Sequence, residues 1–281
     1  MFPSRNFASV ARTAFALNAT RANLSNIGDR WRNPDAVRFF SNLRAGGYDP
    51  DAHIDVLPDH RVIYVCVPKA ASTTIKAALA QLMGRTVPPL RLHARRHSGL
   101  LSPRHVGMST FHRLATCPAT LRFSFVRNPY ARLVSAWADK FQDKPLSAGD
   151  GFAEQYLTYR RQTGSASPEP DDTVSFPEFV EFACATAETR LNAHWALQDD
   201  MLRMPGIALD LIGRVETFGR DFVRVLEHVG LRGMITAALT AHHNVSQHSA
   251  WQRYFDGPLA AQVYRAYERD FDRFGYARAT D

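Results

Sequence analysis

The chain has 281 residues, 45% of them apolar and 22% charged, with a formal net charge of +7. This is the composition of an ordinary soluble globular protein and excludes disordered, collagen-like and coiled-coil chains, while no apolar run approaches the roughly 18 to 20 residues of a membrane helix. Three widely spaced cysteines, Cys66, Cys117 and Cys184, show no CxxC or His/Cys ligand pattern, so neither a disulfide framework nor a metal site is expected, and a reducing, cytoplasmic setting fits.

The first 28 residues hold Arg5, Arg12 and Arg21 and no acid, with Phe7, Val10, Phe15 and Leu17 between them. A transit peptide is conceivable, but the segment lacks a continuous apolar stretch and an obvious cleavage site. The expectation is a basic helical lead-in over residues 1–58, packed on a main domain of residues 59–281.

Arg61 to Val67 is rich in β-branched and aromatic residues and predicts a buried strand. It empties into Pro68-Lys69-Ala70-Ala71-Ser72-Thr73-Thr74 and then a helix over Ile75 to Met83. A second such unit begins with a strand at Leu121 to Val126, turns at Arg127-Asn128-Pro129, and continues as a helix over Tyr130 to Phe141, with Asn128 as N-cap and Pro129 at the first helical position. Ser147 to Asp172, rich in Gly, Ser, Pro and acids, reads as a long loop or lid. Beyond it come a helix near Phe176 to Ala187, a short strand within Ile207 to Val215, an amphipathic helix from Phe218 to Val229, and a closing helix from Leu259 to Phe271. The repeated order of strand, turn and helix predicts an α/β single domain with a central parallel β-sheet flanked by helices.

Charge is distributed unevenly along this pattern. From His60 to Ala138 there are twelve Lys or Arg and no Asp or Glu, which points to a strongly anionic ligand as the source of countercharge. The loop from Pro68 to Thr74 has the chemistry of an anion cradle: backbone N–H groups at a helix N-terminus, small Ala70 and Ala71 for close approach, three hydroxyls, and Lys69 as a mobile charge. It is not a Walker A loop, because no glycine lies between His60 and Gly84. Ser72 or Thr73 could equally serve as a helix cap. Arg127 offers a planar fork for a phosphate, with Ser135 on the helix behind it; Arg132 fits a structural ion pair at least as well.

Residues 67–76 (VPKAASTTIK) and 123–141 (FSFVRNPYARLVSAWADKF) together resemble the two cofactor motifs of sulfotransferase family 2, carbohydrate sulfotransferases that use 3′-phosphoadenosine-5′-phosphosulfate (PAPS). Weaker similarity follows at residues 192–195, 212–216, 244–246 and 267–276. The resemblance implies a P-loop-like fold and assigns Pro68, Lys69, Ala70, Ala71, Ser72, Thr73 and Thr74 to the 5′-phosphosulfate, and Arg127 and Ser135 to the 3′-phosphate. It implies a carbohydrate or glycolipid-like acceptor, PAPS as co-substrate and no metal. Peripheral membrane contact stays open as a partner interaction.

Sulfuryl transfer needs a cation at the leaving oxygen, donors for the equatorial oxygens and a base for the acceptor hydroxyl. Lys69 fits the first role and the loop hydroxyls the second. Histidine suits the third, and His93, His97, His105 and His112 all lie between the loops. In the uronyl 2-O-sulfotransferases, which this stretch resembles, a His-Val pair precedes the 3′-phosphate motif; His105-Val106 matches it, so His105 is the expected base, with surrounding positive charge depressing its pKa. His194 beside Trp195 is the runner-up, and Glu216 could position the cofactor or simply stabilise a helix N-terminus. Two rival readings, a P-loop-type kinase and a basic nucleic-acid-binding protein, lack respectively the Walker lysine position and any recognised nucleic-acid motif. No nucleic-acid partner is expected.

Overall fold

A computed structural model describes residue 28 and residues 32–46, 48–165, 168–230 and 251–279. The basic segment 1–27 and the Asn244-Val245-Ser246 similarity lie outside them. In chain order the main elements are α1 (Pro34–Ala45), β1 (Ile54–Leu57), β2 (Val62–Val65), α2 (Ser72–Leu82), α3 (Met108–Thr116), β3 (Leu121–Val126), α4 (Pro129–Lys140), α5 (Gly151–Gln162), α6 (Phe176–Thr186), β4 (Leu211–Arg214), α7 (Phe218–His228) and α8 (Gly257–Phe274). The chain divides into two compact units, Met1–Val126 with Leu202–Asn244, and Arg127–Met201 with Val245–Asp281. Each unit is assembled from two separate stretches of sequence, so no single linker marks the division.

The first unit holds a four-stranded sheet in the order β1-β2-β3-β4. β2, β3 and β4 run parallel, with Val65 opposite Ser124 and Phe125 opposite Gly213, while β1 lies antiparallel to β2. The expected parallel α/β architecture is therefore present, with one antiparallel edge strand added by Ile54–Leu57. That strand gives no alternating signal, because all four of its residues are buried, Asp55 among them. One face of the sheet presents Val62, Tyr64, Phe123 and Phe125 to Ile75 and Leu79 of α2 and to Phe222, Val225 and Leu226 of α7. Tyr64 stacks on Phe123 at 5.0 Å between ring centroids. Gly213 has no side chain because a Cβ there would lie 2.5 Å from the Phe125 ring. β3 spans the residues expected from sequence, and Ser124, its one polar interior residue, is satisfied by donating from Oγ to the Val65 carbonyl at 2.7 Å.

The second unit is helical. α4, α6 and α8 enclose a core of Tyr130, Phe141, Phe179, Phe182, Trp195, Tyr267 and Phe271. Trp195 is fully buried, donates from its indole N–H to Thr186 Oγ1 at 3.1 Å, and accepts at its carbonyl from the Tyr267 hydroxyl at 2.5 Å. The segment expected as a loop, Ser147 to Asp172, contains α5. Asp150 caps this helix, accepting from the N–H groups of Phe152 (3.1 Å) and Ala153 (2.9 Å). Only Ala153 and Tyr156 of α5 are buried, which is too narrow a stripe to announce a helix among flanking Gly and Pro.

Candidate active site: two anion-binding loops

The first loop leaves β2 through buried Cys66 and Val67. Lys69 and Ala71 both take left-handed backbone conformations, with φ of 69° and 58°. For residues with a Cβ this costs roughly 1–2 kcal/mol each, and such strain persists where the surroundings demand it. Its effect is to turn the chain tightly enough for α2 to begin at Ser72 with Ala71 as the N-cap. The position that would ordinarily close off first-turn N–H groups with a side-chain oxygen carries only a methyl group. Neither Ser72 nor Thr73 is the cap. The helix N-terminus thus keeps its character as an anion-binding end.

The hydroxyls of this loop divide. Ser72 is 8% exposed and faces inward, hydrogen-bonding the Cys66 thiol, which burial pushes above its usual pKa. Thr73 is partly exposed, and its Oγ1 lies 3.5 Å from Nε2 of His93, an exposed residue twenty positions on. Beneath the loop, Lys76 of α2 pairs with buried Asp55 (Nζ to Oδ2 2.9 Å). Burial opposes the charge on Lys76, but the Cys66 sulfur and the Asp55 carboxylate outweigh it and hold its pKa above the ordinary value. Asp55 also takes Arg95 (Nη1 to Oδ1 2.5 Å), whose Nη2 donates to the carbonyls of Asp51 (2.7 Å) and Ile54 (2.9 Å).

These pairs correct the expectation drawn from the acid-free window. Lys76 and Arg95 obtain a carboxylate from just before it, Asp55, and Arg122 one from far beyond it, binding Asp210 through Nε (2.8 Å) and Nη2 (2.7 Å). These three cations therefore do not call for an external anion.

His105 sits in a short turn, Pro103–Val106, where Nδ1 lies 2.7 Å from Ser102 Oγ and 3.4 Å from the Ser102 N–H donor. Its pKa is lowered, as expected, but the larger cause is burial, with Arg95 and Arg104 adding to it and Asp51 opposing. His97 accepts from Arg96 Nε at 3.2 Å, and His112 packs against Phe39 at 4.9 Å. Glu216 is exposed in the turn after β4; the carboxylate engaged at the start of α7 is Asp221, which accepts from Thr217 Oγ1 (2.6 Å) and the Arg214 N–H (2.9 Å).

The second loop belongs to the second unit, and its backbone is fixed by amide chemistry. Gln198 accepts from the Arg127 N–H at 3.0 Å and donates to the Arg127 carbonyl at 2.9 Å. Gln198 is itself held by buried Asp270, which accepts from its backbone N–H (3.0 Å) and Nε2 (3.2 Å) and from the Asp199 N–H (2.8 Å). Asn128 caps α4 as expected, accepting from the N–H groups of Tyr130 (3.0 Å) and Ala131 (3.4 Å), with Pro129 at the first helical position. Arg127 and Ser135 are each partly exposed. Arg132 is buried and structural: its guanidinium donates to the carbonyls of Ala196 (2.6 Å) and Ala193 (2.7 Å). His194, the runner-up base, holds Nδ1 2.8 Å from Asn192 Oδ1 and meets the edge of Phe152. Gln198 and Asp55 carry no sequence signal as site residues, and Asp270 shows only as part of the weak similarity at 267–276.

The sequence profile of the Sulfotransferase family matches residues 52–277. Carbohydrate sulfotransferase 11 of Mus musculus is 30% identical over 243 residues, covering 80% of this chain and 67% of that protein. Carbohydrate sulfotransferase 14 of Homo sapiens is 31% identical over 183 residues, covering 63% of this chain and 46% of its own length. Carbohydrate sulfotransferase 12 of Xenopus laevis is 25% identical over 260 residues, covering 82% and 61%. No solved structure gives a significant match.

Proposed function

The chain belongs to the sulfotransferase family, and from that premise we propose that it transfers the sulfuryl group of PAPS to a hydroxyl of a carbohydrate or glycolipid-like acceptor. The observation that carries this reading is the α2 N-terminus: a left-handed, methyl-bearing cap with Lys69 and Thr73 beside it suits a multiply charged anion. The relatives named above, each a carbohydrate sulfotransferase, support the acceptor class.

In this reading the first-turn N–H groups and Thr73 hold the 5′-phosphosulfate, and Lys69 stabilises the charge that develops on the bridging oxygen as the sulfur–oxygen bond breaks. Arg127 and Ser135 hold the 3′-phosphate, Arg127 through its fork and Ser135 through its hydroxyl. A histidine accepts the acceptor proton, and His105 and His194 are the candidates carried from the sequence. In both, Nδ1 is engaged by a neighbour, Ser102 for His105 and Asn192 for His194.

A cytoplasmic setting completes the reading, supported by three cysteines that are all free thiols. Among the described residues no helix is long and apolar enough to cross a membrane. The experiment is a transfer assay with labelled PAPS against a panel of glycans and glycolipids, run beside titrations with adenosine 3′,5′-bisphosphate, adenosine 5′-phosphate and ATP. The reading requires label on a glycan or glycolipid and tightest binding of the bisphosphate. Equal affinity for the bisphosphate and adenosine 5′-phosphate would remove Arg127 and Ser135 from the 3′-phosphate role.

A further inference from the structure

The weaker similarities at residues 192–195 and 267–276 fall outside both cofactor loops, and both lie in the second unit. There the two stretches meet. The Tyr267 hydroxyl donates to the Trp195 carbonyl at 2.5 Å, and one helical turn further along, Asp270 accepts from Gln198, whose side-chain amide grips the backbone of Arg127. We propose that Gln198, held by Asp270, is a positioning residue for recognition of the 3′-phosphate: it acts through Arg127 and touches no part of the nucleotide.

The bond pattern sets what Gln198 can do. Its Oε1 accepts from the Arg127 N–H at 3.0 Å and its Nε2 donates to the Arg127 carbonyl at 2.9 Å. The peptide planes on both sides of the Arg127 Cα are thereby fixed, and with them the direction in which the side chain leaves the backbone. Arg127 stands between β3 and α4, and Gln198 does for its backbone what a neighbouring strand would do. The amide has no room to turn. Gln198 and Asp270 are both fully buried, and Nε2 also donates to Asp270 Oδ2 at 3.2 Å. Asp270 further accepts from the N–H groups of Gln198 (3.0 Å) and Asp199 (2.8 Å) at the start of the short helix Gln198–Leu202. Arg132 of α4 donates to the carbonyls of Ala193 and Ala196, so this stretch is tied to α4 and α8 at once.

A guanidinium fork binds a phosphate bidentately only in a narrow geometry, and a side chain whose base is already fixed loses less freedom on binding. An amide suits this place because it donates and accepts together, whereas a methionine of similar length has no donor and only a weak acceptor. Without Gln198, the fork starts from a backbone that can take other dihedral angles. The loss then falls on the charge that distinguishes the bisphosphate from adenosine 5′-phosphate.

This inference rests on the proposed assignment of Arg127 to the 3′-phosphate, and the two fail differently. Calorimetric titrations with adenosine 3′,5′-bisphosphate and adenosine 5′-phosphate are compared for the wild type, Gln198→Met, Gln198→Ala, Arg127→Ala and the double variant Gln198→Met/Arg127→Ala. Gln198→Met keeps the volume of the buried side chain, and thermal unfolding reports whether each variant is folded. The expected result is bisphosphate affinity about 5- to 20-fold lower in both Gln198 variants, a smaller loss than at Arg127→Ala, with adenosine 5′-phosphate affinity within about twofold of wild type. In the Arg127→Ala background, adding Gln198→Met should change bisphosphate affinity by less than about twofold, because the residue it acts through is gone. A wild type that binds both nucleotides equally overturns the Arg127 assignment and this inference with it. Given a wild type that prefers the bisphosphate, an unchanged preference in Gln198→Met overturns the inference alone. So does an equal loss for both nucleotides, additive effects in the double variant, or failure of both Gln198 variants to fold.

Discussion

The two loops assigned to the nucleotide in the proposed reading have opposite constructions. In the first, the backbone is strained at Lys69 and Ala71, the helix cap is a methyl group, and the support beneath is ionic, Asp55 between Lys76 and Arg95. In the second, the backbone of Arg127 is hydrogen-bonded on both sides by Gln198, and the helix N-terminus is closed by Asn128. An open helix end binds through its N–H groups; a capped one has spent two of them and leaves recognition to side chains. In the proposed reading, the first construction suits a group whose charge changes during reaction and the second a charge that stays constant.

The largest test removes the ionic support. Asp55→Asn leaves Lys76 buried without its carboxylate, and breaking such a pair costs roughly 3–5 kcal/mol. Hydrogen-exchange protection in β1 and α2 should fall accordingly, with α4 and α6 unaffected; equal loss in both units would mean that the support is not local. Next is Lys69→Ala, for which single-turnover transfer should drop on the order of 10²- to 10³-fold, the size of a lost transition-state donor, while bisphosphate affinity changes little. A matching loss of affinity would make Lys69 a ground-state contact and erase the contrast.

Arg127→Ala reverses that pattern. Bisphosphate binding should weaken by about 1.5–3 kcal/mol, the range for a hydrogen bond to a charged group, while adenosine 5′-phosphate binding stays nearly constant. Calorimetric titration of both nucleotides distinguishes this from a general loss of structure. The smallest effects concern the caps. Asn128→Ala should destabilise by about 1 kcal/mol, whereas Ala71→Gly should cost nothing or stabilise by up to about 1 kcal/mol by relieving the left-handed strain. Thermal unfolding of the two variants compares a closed helix end with an open one, and a clear destabilisation by Ala71→Gly would show that the alanine conformation is not strained.

What the sequence reveals depends on whether the signal is local. The strand at Leu121–Val126 and the Asn128-Pro129 start of α4 are legible because one stretch of chain encodes them. β1 is not, since a buried aspartate in a strand makes sense only beside its partners Lys76 and Arg95. For the candidate site, residue types suffice to propose Lys69, Thr73 and Arg127, but not to see that Ser72 turns inward toward Cys66.

The order of pairing in the sheet also sets the order in which it can form during synthesis. β1 and β2 meet across a short turn, Leu57 opposite Val62, and can pair as soon as both leave the ribosome. β3 can add to β2, but its other edge must wait for β4, since Phe123 pairs with Leu211 and the whole stretch from Arg127 to Met201 is made in between. Until then β3 is a bare sheet edge, and Phe125 lacks its cover from Phe218 and Phe222. Nascent chains stalled before Leu211 should therefore be aggregation-prone and good chaperone clients, a hazard that ends with translation of α7.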